Sequence, residues 1–154
     1  MSLLSAKKAV YRFDNQPIVR VRLANPRDAS VAPVEVRALI DTGAYASAIP
    51  ASLCQLLGHS FENGTLESSV RGIGNGAIRS FVHSMKFTVL YPEEAGVEIP
   101  RTFEPIEFQC QFIEQSLPYI LLGQRDFLRA FRYAQDGHTG WFSLEQITSD
   151  SVEA

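Results

Sequence analysis

The run Ala38-Leu39-Ile40-Asp41-Thr42-Gly43-Ala44 constrains this chain more than any other stretch of it. Val34 to Ile40 is rich in branched residues and ends in a continuous apolar stretch, which predicts a buried strand. A strand of this kind that ends in Asp-Thr-Gly sets a carboxylate on a tight turn, where an unpaired charge is costly. Gly43 allows a sharp turn and close approach of the backbone to a ligand, and Thr42 offers a hydroxyl that can lock the turn. The chain must therefore fold so that one carboxylate is displayed at the end of a core strand, and that placement points to chemistry. Asp136-Gly137 and Asp150-Ser151 do not repeat the pattern, so one polypeptide supplies one such carboxylate.

Strand and turn signals continue on both sides of this turn. Ile18 to Leu23 is extended, and the turn-rich stretch Asn25 to Ser30 separates it from Val34. Ser47 to Pro50 is short and extended, and Pro50 suits the start of a helix over Ala51 to Leu57 that Gly58 stops. Glu67 to Arg71 and Ala77 to Leu90 read as the arms of a hairpin around Gly72-Ile73-Gly74-Asn75-Gly76. Phe81, His83, Met85, Phe87 and Val89 share one face of the second arm. The proline- and acid-rich stretch Tyr91 to Pro105 reads as a solvated loop. Phe108 to Ile113 is extended, and Tyr119-Ile120-Leu121-Leu122-Gly123 is a second buried apolar run ending in glycine. The spacing of Phe127, Leu128 and Phe131 predicts a helix over Arg125 to Phe131. Arg132 to Gln135 and Gly140 to Leu144 flank Asp136-Gly137-His138-Thr139 as a closing hairpin.

A chain of 154 residues with 45% hydrophobic content has material for one core. The expected organisation is an N-terminal segment over 1–14, one domain over 15–148 and a disordered tail over 149–154. A net charge of −3 and no basic run beyond Lys7-Lys8 argue against nucleic acid as a partner. No apolar stretch approaches the roughly 18 residues that would span a bilayer, so no membrane partner is expected. Met1 to Arg12 lacks the apolar core of a signal peptide, which predicts reduced Cys54 and Cys110 in a cytoplasmic protein. Cys54, beside Leu53, Leu56 and Leu57, reads as a buried hydrophobe, and Trp141 as core or interface packing. His59, His83 and His138 stand at no ligand spacing, so no metal is expected.

Three motifs in order resemble one family. Leu39-Ile40-Asp41-Thr42-Gly43-Ala44, the glycine-rich tip at residues 72 to 76, and Ile120-Leu121-Leu122-Gly123 before an expected helix are similar to the retropepsins, the single-domain aspartic proteases. The resemblance spans roughly residues 15 to 131 and implies an all-β fold, a closed acid-protease β-barrel with one or two short helices. It implies a homodimer that cleaves a peptide or protein substrate without a cofactor, each copy supplying one Asp41 and the pair sharing one proton. Carried over by position, Asp41 is the catalytic carboxylate, Thr42 grips the facing active-site loop, and Gly43 offers its carbonyl to substrate. Ala44 and Tyr45 lie on the substrate side, and Gly72, Ile73 and Gly74 belong to a flap over bound peptide. Leu121 and Leu122 line the floor and pockets, and Gly123 packs beside the active-site loop.

The chain departs from the retroviral pattern at Tyr45, where those enzymes carry an acid that binds substrate backbone and pairs with an arginine; Arg125 is nearby. It also continues for about two strands beyond the expected helix, and its 91–105 loop is longer. The contrasting functional reading is a retropepsin-like peptide-binding or dimerisation module with little or no activity, taking up extended peptides by strand addition.

Overall fold

A computed structural model describes residues 7–13, 15–67 and 78–147. Ten strands carry the fold: β1 (Lys8–Arg12), β2 (Ile18–Ala24), β3 (Val34–Ile40), β4 (Ala48–Pro50), β5 (Thr65–Glu67), β6 (Ser80–Val89), β7 (Ile106–Ile113), β8 (Ile120–Leu122), β9 (Phe131–Asp136) and β10 (Trp141–Gln146). The order β2-β3-β8-β4-β7-β6 closes on itself through β2–β6 pairing, so six strands form a barrel, and β5 adds to β6 outside it. The expected all-β closed barrel is what forms.

Alternation along the strands builds the interior. Val19, Val21 and Leu23 of β2 and Met85, Phe87 and Val89 of β6 point inward, with Cys110, Phe112, Ile120 and Leu122 from β7 and β8. β3 is buried only toward its end, at Ala38 and Ile40, while Glu35 and Arg37 face solvent. Cys54 and Cys110 are free and buried; burial raises the Cys54 thiol to about 11 and pushes Cys110 well above its ordinary value. Such thiols behave as packing groups.

The second sheet has the order β1-β10-β9. Lys8–Arg12, within the segment expected to precede the domain, is its edge strand, in register with β10 from Lys8↔Glu145 to Arg12↔Trp141. Ala9 and Tyr11 face the core; Tyr11 stacks on Phe142 at 4.9 Å and donates its hydroxyl to the Leu90 carbonyl at 2.7 Å. Trp141 falls on the opposite face and is 46% exposed, so it is not a core residue.

Two expectations change. Residues 124–130 form a chain of turns instead of a helix over Arg125 to Phe131. The Leu128 amide donates to Gly123 and the Ala130 amide to Phe127, while the Asp126 carboxylate draws off the Phe127 amide at 2.6 Å. That local bond competes with helical pairing. The burial foreseen is still achieved, because Phe127 and Phe131 stack at 4.8 Å in the interior. Ala51–Leu53 is a 3-10 helix that runs on as turns to Gly58 instead of a helix to Leu57. Gly58 closes it at φ +75°, and a Cβ there would lie 2.8 Å from the Val31 side chain. The 91–105 loop is irregular as expected, yet it is anchored: Phe103 is buried, tilted against Tyr91 and edge-on to Phe131, and its amide donates to Val89.

Candidate active site

The site follows from one register. β3 and β8 run parallel with Ile40 opposite Leu122, so the residues that follow, Asp41 and Gly123, emerge side by side at the same end of the barrel. The Asp41 amide donates to the Leu122 carbonyl at 3.0 Å, and the Ala44 amide closes the turn onto the Asp41 carbonyl at 3.1 Å. The side chain of Asp41 is part-exposed; its Oδ1 accepts the Gly43 amide at 3.0 Å. Thr42 and Gly43 are exposed, Ala44 is half-buried, and Tyr45 is 70% exposed.

The segment after β8 braces the segment after β3 along its length. Gln124 donates its backbone amide to Ala44 at 2.9 Å and its side-chain amide to the Thr42 carbonyl. The Arg125 amide donates to Tyr45 at 2.7 Å. The Asp126 carboxylate accepts both the Ser47 amide, at 2.9 Å, and the Ser47 hydroxyl, at 2.6 Å, and Ser47 Oγ in turn accepts the Gly123 amide at 2.9 Å. Gly123 is required by this closeness: a Cβ would stand 2.5 Å from the Ala46 carbonyl carbon and 2.8 Å from the Ser47 nitrogen. The result is a displayed carboxylate on a turn that neither translates nor tilts without breaking several bonds at once.

One solved structure aligns with this chain end to end: a retropepsin-like aspartic protease from Rickettsia conorii, at 17% identity and TM-score 0.58, over 95% of this chain and 98% of that one. The fold is retropepsin-like. Two more distant likenesses are EIAV protease complexed with the inhibitor HBY-793 and the retroviral protease-like domain of Ddi1 from Leishmania major. The first has 20% identity and TM-score 0.43, covering 77% of this chain and 90% of that chain. The second has 18% identity and TM-score 0.42, covering 86% and 96%. No protein-family model and no curated protein sequence matches the chain.

Within this retropepsin-like fold the residues singled out from sequence fall into three groups. Asp41, Thr42, Gly43, Ala44 and Tyr45 lie together on the braced turn, with Leu121 half-buried beside them on β8. Leu122 is wholly buried among the barrel residues, so a pocket-lining role does not suit it: strand alternation turns Leu122 inward and leaves Leu121 the accessible leucine. Gly72, Ile73 and Gly74 lie outside the described residues; the arms leading to them do pair, Thr65 with Val82 and Glu67 with Ser80. Ser47, Gln124 and Asp126 carry the brace and were not singled out from sequence. The signal for Asp126 was its place three residues beyond the Leu-Leu-Gly run, where an acid can reach back to the neighbouring loop. No group of three or more His, Cys, Asp or Glu side chains among the described residues could hold a metal.

His59 and His83, read as unrelated in sequence, have ring centroids 4.7 Å apart. Their Nε2 atoms lie 3.2 Å from the Ser84 carbonyl and 3.0 Å from the Phe61 carbonyl. They tie the 59–64 segment to β6.

Proposed function

We propose that the protein is an aspartic endopeptidase whose working site forms between two copies of the chain. The observation that carries this reading is the single Asp41 carboxylate, displayed at the barrel end on a turn whose backbone is fixed by Leu122, Gln124 and Arg125. A lone carboxylate has no proton-sharing partner. A two-fold axis beside the exposed Thr42 and Gly43 supplies one, because it sets Asp41 against its own copy. Two carboxylates so close do not both ionise freely; one holds a proton and the other does not. The ionised member takes a proton from a water between them as that water's oxygen attacks the peptide carbonyl carbon. The neutral member gives its proton to the carbonyl oxygen, leaving a neutral diol. Collapse of the diol breaks the C–N bond as the nitrogen is protonated.

The Thr42 hydroxyl has no hydrogen-bond partner within this chain among the described residues, which suits a contact across the axis. No helix among the described residues is long and apolar enough to cross a membrane; a cytoplasmic location remains part of the proposal.

The test joins assembly to chemistry. Sedimentation at micromolar concentration is expected to give twice the chain mass. Asp41→Asn is expected to remove peptide cleavage by more than ~10³-fold while leaving the sedimenting species as it was. The wild-type pH–rate profile is expected to be bell-shaped. Cleavage that survives in the Asn variant sinks the assignment of Asp41, whereas a wild type that binds peptide without cleaving it leaves the peptide-binding module as the reading.

A further inference from the structure

We infer that Arg125, held over Tyr45, is a specificity-determining residue that selects peptides bearing a carboxylate within about four residues of the cleaved bond. This rests on the proposed function for the word cleaved, and on the geometry of this chain for the rest.

The Arg125 guanidinium carbon lies 5.1 Å from the Tyr45 ring centroid, inside the range of a cation–π contact. The backbones of the two residues are already joined by the 2.7 Å bond from the Arg125 amide to the Tyr45 carbonyl. The backbones of the pair are therefore held side by side before any ligand arrives, which lowers the ordering cost of binding. Stacking uses the face of a guanidinium and leaves its in-plane N–H donors free, and those donors match the two oxygens of a carboxylate. No acidic side chain lies within ion-pair distance of Arg125, and its side chain donates no hydrogen bond, among the described residues. Arg20, Arg79 and Arg132, in contrast, each have a glutamate. The nearest acid in sequence, Asp126, is engaged by Ser47.

Arg37 over Tyr119 and Arg101 over Tyr91 repeat the contact, and Arg37 is also four positions from Asp41, but it lies within β3 before the turn, whereas Tyr45 and Arg125 belong to the braced turn itself. What sets Arg125 apart is place. Tyr45 is four residues beyond Asp41, so its Cα lies at most ~14 Å from that of Asp41 at about 3.5 Å per residue. A peptide laid extended over the turn advances about 3.3 Å per residue. The Tyr45–Arg125 pair thus meets side chains up to about four positions from the reacting carbonyl. Tyr45, 70% exposed, offers its free ring edge and hydroxyl to the same stretch.

The experiment uses the full chain and a peptide series in which Glu and Gln alternate at each of the four positions on either side of the cleaved bond. At one of these positions the wild type is expected to favour Glu about fivefold in kcat/KM, the scale of one exposed charge pair, with the difference in KM. Arg125→Gln is expected to bring that ratio to near one, and Arg125→Glu to invert it toward a Lys peptide. Fluorescence anisotropy of the same peptides on the Asp41→Asn protein repeats the measurement without turnover. Arg125-dependent preference for Glu in binding, with no cleavage by the wild type, upholds this inference and overturns the protease reading. Asp41-dependent cleavage with a Glu-to-Gln ratio that Arg125→Gln does not alter overturns this inference alone. An Arg125→Gln protein that loses its dimer and keeps the ratio overturns it too, and assigns the cation to the interface.

Discussion

Two regions of this molecule hold a loop against the barrel, and only one of the two uses imidazoles to do so. At the Asp41 end, residues 41–47 are fixed by backbone amides of 123–125, by the Ser47–Asp126 pair and by a glycine that lets two backbones touch. At the 59–64 segment, two imidazoles donate to carbonyls with rings packed near Phe112, alongside the Arg79–Glu62 ion pair, the Phe61–Phe81 edge contact and the close approach of Gly64 to the Val82 carbonyl. The first brace is redundant and short-ranged, as a site that must hold reacting atoms to fractions of an ångström requires. The second includes the His59 imidazole, which burial holds below its ordinary value. The fixed brace lies where the chemistry is proposed, and the imidazole contact joins the 59–64 segment to β6.

The contrast breaks most readily at Gly123. Gly123→Ala forces its Cβ into the Ala46–Ser47 backbone, which has no flexible end to swing aside. A loss of about 3 kcal/mol in urea unfolding is expected, together with loss of peptide cleavage. Retention of both would mean that the two loops are not locked together. Asp126→Ala comes next. It strips the partner from the buried Ser47 amide and hydroxyl, and a cost of about 2 kcal/mol is expected. Ser47→Ala should cost less, about 1 kcal/mol, because one hydroxyl leaves with its bonds. Since Ser47 and Asp126 share the same bonds, the double variant is expected to fall short of the sum by at least about 0.5 kcal/mol. Strict additivity would show that the pair does not act as a unit.

The same contrast explains what could be read in advance. The Asp41 turn was legible because its signal is local: an apolar strand, then Asp-Thr-Gly. The barrel strands were legible because inward and outward residues alternate, as in Phe81 to Val89. Ser47 and Asp126 stand 79 positions apart, and only the parallel β3–β8 register makes them neighbours. Phe103 was hidden in a proline- and acid-rich loop, where one aromatic carries the anchor. The Arg125 to Phe131 pattern gave the right buried residues and the wrong backbone, because Asp126 spends its carboxylate on the adjacent Phe127 amide and the distant Ser47 amide. Lys8–Arg12 alternates well enough to be a strand, but its partner lies at the far end of the chain. Leu122 follows the same rule in reverse: adjacency to Leu121 in sequence put both in one role, and the strand period of two separates them.

The smallest expected effect sharpens the second region. Burial first, then His83, then Arg27 hold the His59 imidazole below its ordinary 6.5, against the opposite pull of the Ser84 carbonyl. The folded protein therefore resists the proton that the unfolded chain accepts at 6.5. The stability tied to neutral His59 is fully present above pH 6.5 and is lost as pH falls through the lowered value. His59→Phe keeps an aromatic ring against His83 and Phe112, gives up the bond to Ser84, and cannot take a proton. Its melting midpoint should lie below that of the wild type at pH 7.5, and the gap should narrow by up to about 3 °C on going to pH 5. Gly123→Ala, measured alongside, is expected to keep a constant gap over the same range, since the brace it disturbs contains no imidazole. Parallel melting curves for His59→Phe and wild type would remove the distinction between a fixed end and a responsive one.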